Sequence, residues 1–294
     1  MIIKEMAKAK INLCLHVGEK RSDGYHSLDS VMSEISLCDT VEVEFTPANK
    51  SEISLSCTLS DELAPFFPDA ADKLAFEKNI AHRAADAYLR AAGICGKVRI
   101  KIEKNIPLQA GMGGGSADAA AVVRAMNALS GKVLCDDEML ALCASLGADV
   151  PFCYIGGCAH AQGIGEILSP CPPLHDVYVC IGRGRNNSPT PEAYASLDRL
   201  GIRSHRTSEK MRSSLTRKEL PRREDFHNDF ERVILQKDAD AADIKAALDA
   251  HGAYASLLCG SGSALFGIFR IEEKARGCCR ELKSKGYFSC VCGI

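Results

Sequence analysis

Four glycines, Gly111, Gly113, Gly114 and Gly115, followed by Ser116, form the most chemically pointed stretch of this 294-residue chain. A strand-like run from Val98 to Glu103 leads into it, with apolar residues at 98, 100 and 102. An alanine-rich run to Leu129 follows and is closed by Gly131, where a left-handed C-terminal cap is favoured. The pattern predicts a turn between a strand and a helix, with Ser116 as the helix N-cap. Backbone N–H groups without neighbouring Cβ atoms can press close to an anion, and the helix dipole favours negative charge there. Glycine-rich turns also serve structure alone, but four glycines in five positions at this junction favour a phosphate cradle. No Gly-Lys-Ser/Thr follows, which excludes a Walker A loop. A protein-kinase glycine loop would lie between two strands, and Ser116 stands where the dinucleotide fingerprint needs glycine.

Four other stretches carry reactive or recognising side chains. Ala7 to Val17 alternates apolar residues at 11, 13, 15 and 17 with Lys10, Asn12, Cys14 and His16, so Lys10 and Asn12 share one face of a strand. A solvated strand face is the plain alternative. Lys20 to Ser27 is a polar turn around Asp23-Gly24, and it sets Tyr25 and His26 side by side. They could cap a loop, or offer a stacking face and a hydrogen-bonding edge to a base. Leu146-Gly-Ala-Asp149-Val-Pro151 ends a helix, and Pro151 predicts an extended Val150, with Asp149 held in a short connection to a strand. Alone, a turn aspartate is the simpler reading. Gly260-Ser261-Gly262 precedes an apolar strand and is weak by itself.

Together these stretches resemble the GHMP small-molecule kinases, the superfamily of galactokinase, homoserine kinase, mevalonate kinase and phosphomevalonate kinase. Pro107-x-x-x-Gly111-Met112-Gly113-Gly114-Gly115-Ser116 is similar to their nucleotide loop. The order and spacing of Lys10-x-Asn12, Asp23-Gly-Tyr-His26, the glycine loop, Leu146 to Pro151 and Gly260 to Gly262 resemble one branch of it. That branch phosphorylates a cytidine-diphosphate sugar alcohol in the non-mevalonate route to isoprenoids. Lesser matches are Lys78-Asn79-Ile80, Lys104-x-Ile106-Pro107, Pro189-Thr-Pro191 and Asn228-Asp-Phe-Glu231, and the resemblance runs from residue 7 to about 270. Asp23-Gly-Tyr-His26 is its most specific part, because the other kinases of the superfamily lack it.

The resemblance implies an α+β, two-domain fold: an N-terminal ATP-binding domain over 1–165, a ferredoxin-like C-terminal domain over 166–294, and an active site in the cleft between them. It implies Asp149 as catalytic base and Lys10 as its electrostatic partner at the substrate hydroxyl. Tyr25 and His26 would receive the cytosine with Tyr194 on its other face, and Asn12 and Thr190 would help to hold the substrate. Pro107, Ala110, Gly111, Met112, Gly113, Gly114, Gly115 and Ser116 would grip the phosphates of ATP, with Asn79 and Lys104 at the adenosine end. Mg²⁺ is expected with ATP, its ligands unassigned, since Gly114-Gly115 replaces the Ser-Ser of galactokinase and mevalonate kinase and Ser116 substitutes only in part. A homoserine or mevalonate type of kinase, or a catalytically silent nucleotide-binding homologue, are the alternatives.

The elements that must position these residues are strands near 7–17, 40–46, 51–57 and 97–103 with helices near 72–92, 116–130 and 137–146. Strands near 152–161 and 176–182 follow, then helices near 191–198, 226–236 and 239–250, strands near 254–258 and 263–269, a helix near 272–285 and a strand near 287–292. At about 150 residues per domain the length predicts two domains. A 46% hydrophobic content supplies two cores, and a net charge of −2 carries no polyelectrolyte signature. The basic stretch 199–223 lacks interleaved aromatics and reads as a solvated or mobile insertion, so no nucleic-acid partner is expected. No apolar run is long enough for a membrane span, and the N-terminus has no signal-peptide core. Fifteen cysteines without a Cys-x-x-Cys pair, mostly in apolar runs, read as buried reduced thiols of a cytoplasmic protein, monomeric or homodimeric.

Overall fold

The structure is a computed structural model in which residues 1–68, 70, 79–204 and 207–294 are described. Its elements, in chain order, begin with two long strands, β1 (Ile2–Lys20) and β2 (His26–Pro47). There follow β3 (Glu52–Leu59), α1 (Ile80–Ala92), β4 (Gly96–Lys104), α2 (Gly114–Leu129), α3 (Asp136–Leu146), α4 (Val150–Ile155), β5 (Cys158–Gln162), β6 (Ile167–Pro170) and β7 (Tyr178–Arg183). The chain continues through α5 (Thr190–Arg199), α6 (Glu209–Thr216), β8 (His227–Asn228), α7 (Glu231–Lys237), α8 (Ala239–Ala250), β9 (Ala255–Leu258), β10 (Ala264–Phe269), α9 (Glu272–Ser284) and β11 (Phe288–Gly293). The result is a mixed α+β chain that divides into two compact units.

The first unit takes residues 1–9, 37–106 and 113–156. Its strands run β3-β4-β2-β1, with β3 parallel and β2 antiparallel to β4. Along β4 the period of two buries Val98, Ile100 and Ile102 while Lys97, Arg99 and Lys101 face solvent and pair with Glu52, Glu44 and Glu42. Such exposed pairs each contribute about 0–1 kcal/mol, so the buried face holds the sheet. Against it lie Ala84, Ala85 and Tyr88 of α1 and Ala117, Ala120, Ala121 and Val122 of α2. Alanine suits α2 twice: it has the highest helix propensity, and its small side chain lets neighbouring helices approach closely.

The second unit takes 10–36, 107–112 and 157–294. Here the first half of β2 pairs with β5, β5 with β6, and β1 runs parallel to the two-residue β8. A separate antiparallel sheet has the order β11-β7-β10-β9. With α8 and α9 it forms the strand-helix-strand-strand-helix-strand arrangement of a ferredoxin-like layer, as the sequence implied. Its core joins Cys180, Leu265 and Phe269 of the sheet to Ile244 and Leu248 of α8 and Cys278 and Leu282 of α9.

Several local expectations are corrected. Helix α2 begins at Gly114 with Gly113 as its N-cap (φ 70°), two residues before the expected Ser116 start, because glycine reaches the left-handed region that the turn needs. The expected strand from 152 is the short helix α4, with Pro151 in its first turn, where a missing N–H costs nothing; the strand itself starts at Cys158. The basic stretch contains α6, with Met211 and Leu215 buried, so it is in part an anchored helix. The start of the expected 72–92 helix, Lys78, and residues 205 and 206 lie outside the described residues. None of the fifteen cysteines is in a disulfide, and only Cys95 and Cys135 are exposed. Among the described residues no helix is long and apolar enough to cross a membrane.

Candidate active site

Lysine 10 is buried in the middle of β1, and so is Asn12 one pleat further on. From residue 9 to 17 both faces of β1 are covered, so the polar face is not a solvated one. A buried ammonium must be paired or hydrogen-bonded. Lys10 Nζ donates to Asn12 Oδ1 at 2.9 Å, Asn12 Nδ2 donates to Ser30 Oγ at 2.9 Å, and Ser30 Oγ donates to the Cys14 carbonyl at 2.7 Å. This chain of bonds fixes the orientation of the lysine.

The glycine loop is divided between the two units. In the second unit, the Lys10 N–H donates to the Met112 carbonyl at 3.0 Å, and the Ala264 N–H donates to the Ala110 carbonyl at 3.3 Å. Gly111 (φ 74°) lies against the Gly260-Ser261-Gly262 turn: a Cβ there would come within 1.9 Å of the Cys259 carbonyl oxygen. A Cβ on Gly260 would sit 2.8 Å from the Gly111 carbonyl oxygen and 3.3 Å from Lys10 Nζ. Lys10, the start of the loop and the Gly-Ser-Gly turn therefore form one cluster with no room for side chains. Pro107 is buried in the short link between β4 and the loop.

In the first unit, Gly113 caps α2 and Gly114, Gly115 and Ser116 form its first turn. The N–H groups of that turn have no partners within the helix, and Gly115 is exposed. An anion is what such an end accepts. Lys104, which the resemblance implies at the adenosine end, is held in a buried ion triad. Its ammonium touches Asp39 and, at 2.5 Å, Asp118 Oδ2, and all three side chains are almost wholly buried. A Cβ on Gly114 would lie 3.4 Å from Lys104 Nζ, so the triad sits directly beneath the helix start. Burial and the neighbouring Asp39 charge push Asp118 up to about 7, against the pull of Lys104, while the two carboxylates hold Lys104 above its ordinary value despite burial. Asn79 caps α1 by accepting the Ala81 N–H at 2.9 Å. Asp149 is half-buried at the N-cap of α4, its carbonyl accepting the Cys153 N–H at 3.1 Å.

The aromatic residues meet in the second unit. His26 and Tyr194 stack on each other with ring centroids 5.0 Å apart, and Phe230 meets Tyr194 edge-on at 4.9 Å. His26 Nε2 is 2.8 Å from Asp198 Oδ1, and Arg203 holds the same oxygen at 2.6 Å. Tyr25 is 60% exposed beside them. At that separation the rings of His26 and Tyr194 are in direct contact. Thr190 Oγ1 is 2.9 Å from Ser261 Oγ, which ties the start of α5 to the Gly-Ser-Gly turn.

Comparison with known proteins bears on this arrangement. The model of the GHMP kinases N terminal domain matches residues 79–157, and that of the GHMP kinases C terminal domain matches 217–287. A 4-diphosphocytidyl-2-C-methyl-D-erythritol kinase of Desulfitobacterium hafniense is 36% identical over 278 residues, covering 93% of this chain and 89% of the relative. One from Solibacter usitatus is 38% identical over 271 residues, covering 90% and 80%. The chain belongs to the 4-diphosphocytidyl-2-C-methyl-D-erythritol kinase family of GHMP kinases. A crystal structure of 4-(cytidine 5'-diphospho)-2C-methyl-D-erythritol kinase superposes with a TM-score of 0.78 at 32% identity, covering 99% of this chain and all of the other. A homoserine kinase from Cytophaga hutchinsonii reaches 0.76 at 19% identity, which shows the shared fold alone.

Sequence reasoning missed three residues that structure this kinase's candidate site, Asp39, Asp118 and Asp198, and had Phe230 only within a lesser match. Asp198 was within reach, since it lies one helical turn beyond Tyr194 on α5 and so shares its face. Asp118 stood in the first turns of the predicted helix. Asp39 meets Lys104 from 65 residues away, and no local pattern signals that.

Proposed function

We propose that this kinase transfers the γ-phosphoryl group of ATP to the 2-hydroxyl of 4-diphosphocytidyl-2-C-methyl-D-erythritol, giving the 2-phosphate and ADP. The observation that carries the reading is the 36% identity over 93% of the chain to a relative named for that substrate. Asp149 accepts the hydroxyl proton as the new P–O bond forms and the bond to the β,γ-bridging oxygen breaks, with ADP as leaving group. Lys10 offsets negative charge at the hydroxyl. Phosphoryl transfer needs little from the base itself, and most of the rate comes from positioning and electrostatic stabilisation.

The backbone of Ala110 to Ser116 holds the ATP phosphates, supported by the open first turn of α2, with Pro107 setting the entry to the loop. Asn79 caps α1 at the nucleotide side, and Lys104 acts from beneath the loop. Ser116 is the hydroxyl beside the cradle that would help to hold Mg²⁺ brought with the nucleotide, and the ion would supply charge neutralisation at the phosphates. Tyr25, His26 and Tyr194 form the pyrimidine site, and Asn12 and Thr190 hold the alcohol end. The Asp198 carboxylate accepts from His26 Nε2–H, which leaves Nδ1 as the ring atom available to the edge of the cytosine. The division into an ATP-binding part over 1–165 and a C-terminal part over 166–294 belongs to this proposal. So does a cytoplasmic location, which fifteen cysteines with no disulfide among them support.

A coupled ADP-release assay with ATP, Mg²⁺ and a panel of the cytidine-diphosphate alcohol, homoserine and mevalonate tests the reading. Turnover confined to the first supports it. Turnover on homoserine or mevalonate alone would overturn the substrate assignment while leaving the kinase chemistry.

A further inference from the structure

We propose that His16, His227 and Asp229 form a binding site for a divalent transition-metal ion of the zinc class, separate from the kinase machinery. The site is assembled by the parallel pairing of β8 with β1, which places His227 opposite Cys14 and Asn228 opposite Leu15. His227 opens β8 just after the 3-10 turn Arg223–Asp225, and Asp229 follows the strand in a turn, with His16 on the neighbouring strand stacked on His227. The imidazoles of His16 and His227 stack with centroids 5.2 Å apart. One ligand atom from each of His16, His227 and Asp229 lies within 4.8 Å of the other two.

Four-coordinate zinc with bonds of about 2.0–2.1 Å to nitrogen and oxygen needs donor atoms about 3.3 Å apart, so small side-chain rotations complete the set. The orienting contacts are already made. His16 Nδ1 meets Ser204 Oγ at 3.2 Å and Asp229 Oδ2 accepts the Val17 N–H at 2.8 Å, while His227 Nε2 and Asp229 Oδ1, two donors that would share the ion, stand 2.8 Å apart. A histidine whose ring is fixed by a hydroxyl or carboxylate is the usual partner of a bound metal. Among the described residues, His16 also lines a cavity of about 550 Å³ with Glu209, Glu224, Asp225 and Lys210. That cavity supplies an entry path, an attractive field for a cation, and carboxylates or water for the remaining position. Imidazole with carboxylate selects zinc, cobalt or nickel over magnesium.

The test is titration of the full-length protein, freed of metal, with Co²⁺ followed by visible absorption and with Zn²⁺ followed by calorimetry. Expected are about one equivalent bound, no sulfur-to-metal charge-transfer band, a raised melting temperature with zinc, and affinity lowered about tenfold or more in His227→Gln and in His16→Gln. His227 is partly exposed, so its variant should stay folded even if loss of the buried His16 destabilises the strand. The proposal is overturned if the wild-type chain binds no metal, if the spectrum is that of thiolate ligation by the cysteines, or if both variants bind as tightly as wild type.

Discussion

Replacing Lys104 by methionine should expose how the triad beneath the glycine loop is held. Lys104, Asp39 and Asp118 are all nearly excluded from solvent, and breaking a buried ion pair from one side costs about 3–5 kcal/mol. The two carboxylates would not suffer equally. Asp39 keeps the backbone N–H groups of Asn105 at 2.6 Å and Ile106 at 2.8 Å. Asp118 has no partner for Oδ1 among the described residues, and its Oδ2 is held by Lys104, so the loss concentrates there. Burial and the Asp39 charge hold Asp118 above its ordinary value against the pull of Lys104, so losing Lys104 raises it further. A carboxyl raised on folding contributes stability that is complete below its unfolded value and is lost as pH rises through its folded value. Near pH 8.5 Lys104→Met should therefore cost about 3–5 kcal/mol. Near pH 5.5 Asp118 takes a proton, and the cost should fall to the roughly 1–3 kcal/mol of an unsatisfied neutral group. Adding Asp118→Leu should recover most of the loss at the higher pH. Urea unfolding of the three proteins at both pH values measures this. A Lys104→Met cost that is the same at both, or below about 1 kcal/mol throughout, would refute the reasoning.

The glycines of the loop should separate by role. Gly111→Ala places Cβ against the Cys259 carbonyl and keeps a positive φ, so it should lower the melting temperature sharply by scanning calorimetry. Gly115→Ala meets only Ile80 Cγ2, at 3.4 Å, and should leave the melting temperature unchanged while raising the KM for ATP several-fold. Tyr194→Leu removes the stack on His26 and should raise the KM for the cytidine substrate about tenfold, with the KM for ATP unaffected in the same steady-state assay. Asp198→Asn leaves His26 Nε2 without its carboxylate, and should weaken cytidine-substrate binding by calorimetry while nucleotide binding stays as in wild type.

The parts of this chain that were legible in the sequence are those written in local patterns. Period-two alternation marked β4 and the core of β1, and the strand-helix order of the last hundred residues marked the ferredoxin-like layer. The glycine loop announced itself because backbone close to an anion, or to another turn, leaves no room for Cβ. Gly111 against Cys259 shows the second reason at work. What escaped depended on distance along the chain or on competing local rules. Pro151 disfavours helix for the residue before it, yet it is welcome in a first turn, and here the second rule prevailed. The basic stretch hid α6 because Met211 and Leu215 are few apolar residues among many charges. The triad around Lys104 was hidden because the carboxylates that bury it, from residues 39 and 118, come from two other elements.

The central claim is most directly tested by turnover of 4-diphosphocytidyl-2-C-methyl-D-erythritol, measured as formation of its 2-phosphate with ATP and Mg²⁺, for the wild-type chain and for Asp149→Asn. The account predicts product from the wild type and a loss of orders of magnitude in kcat for a variant that melts at the wild-type temperature and still binds ATP. Product formation by Asp149→Asn at the wild-type rate would contradict the role given to Asp149. Absence of product from a folded, ATP-binding wild type would contradict the proposed reaction itself.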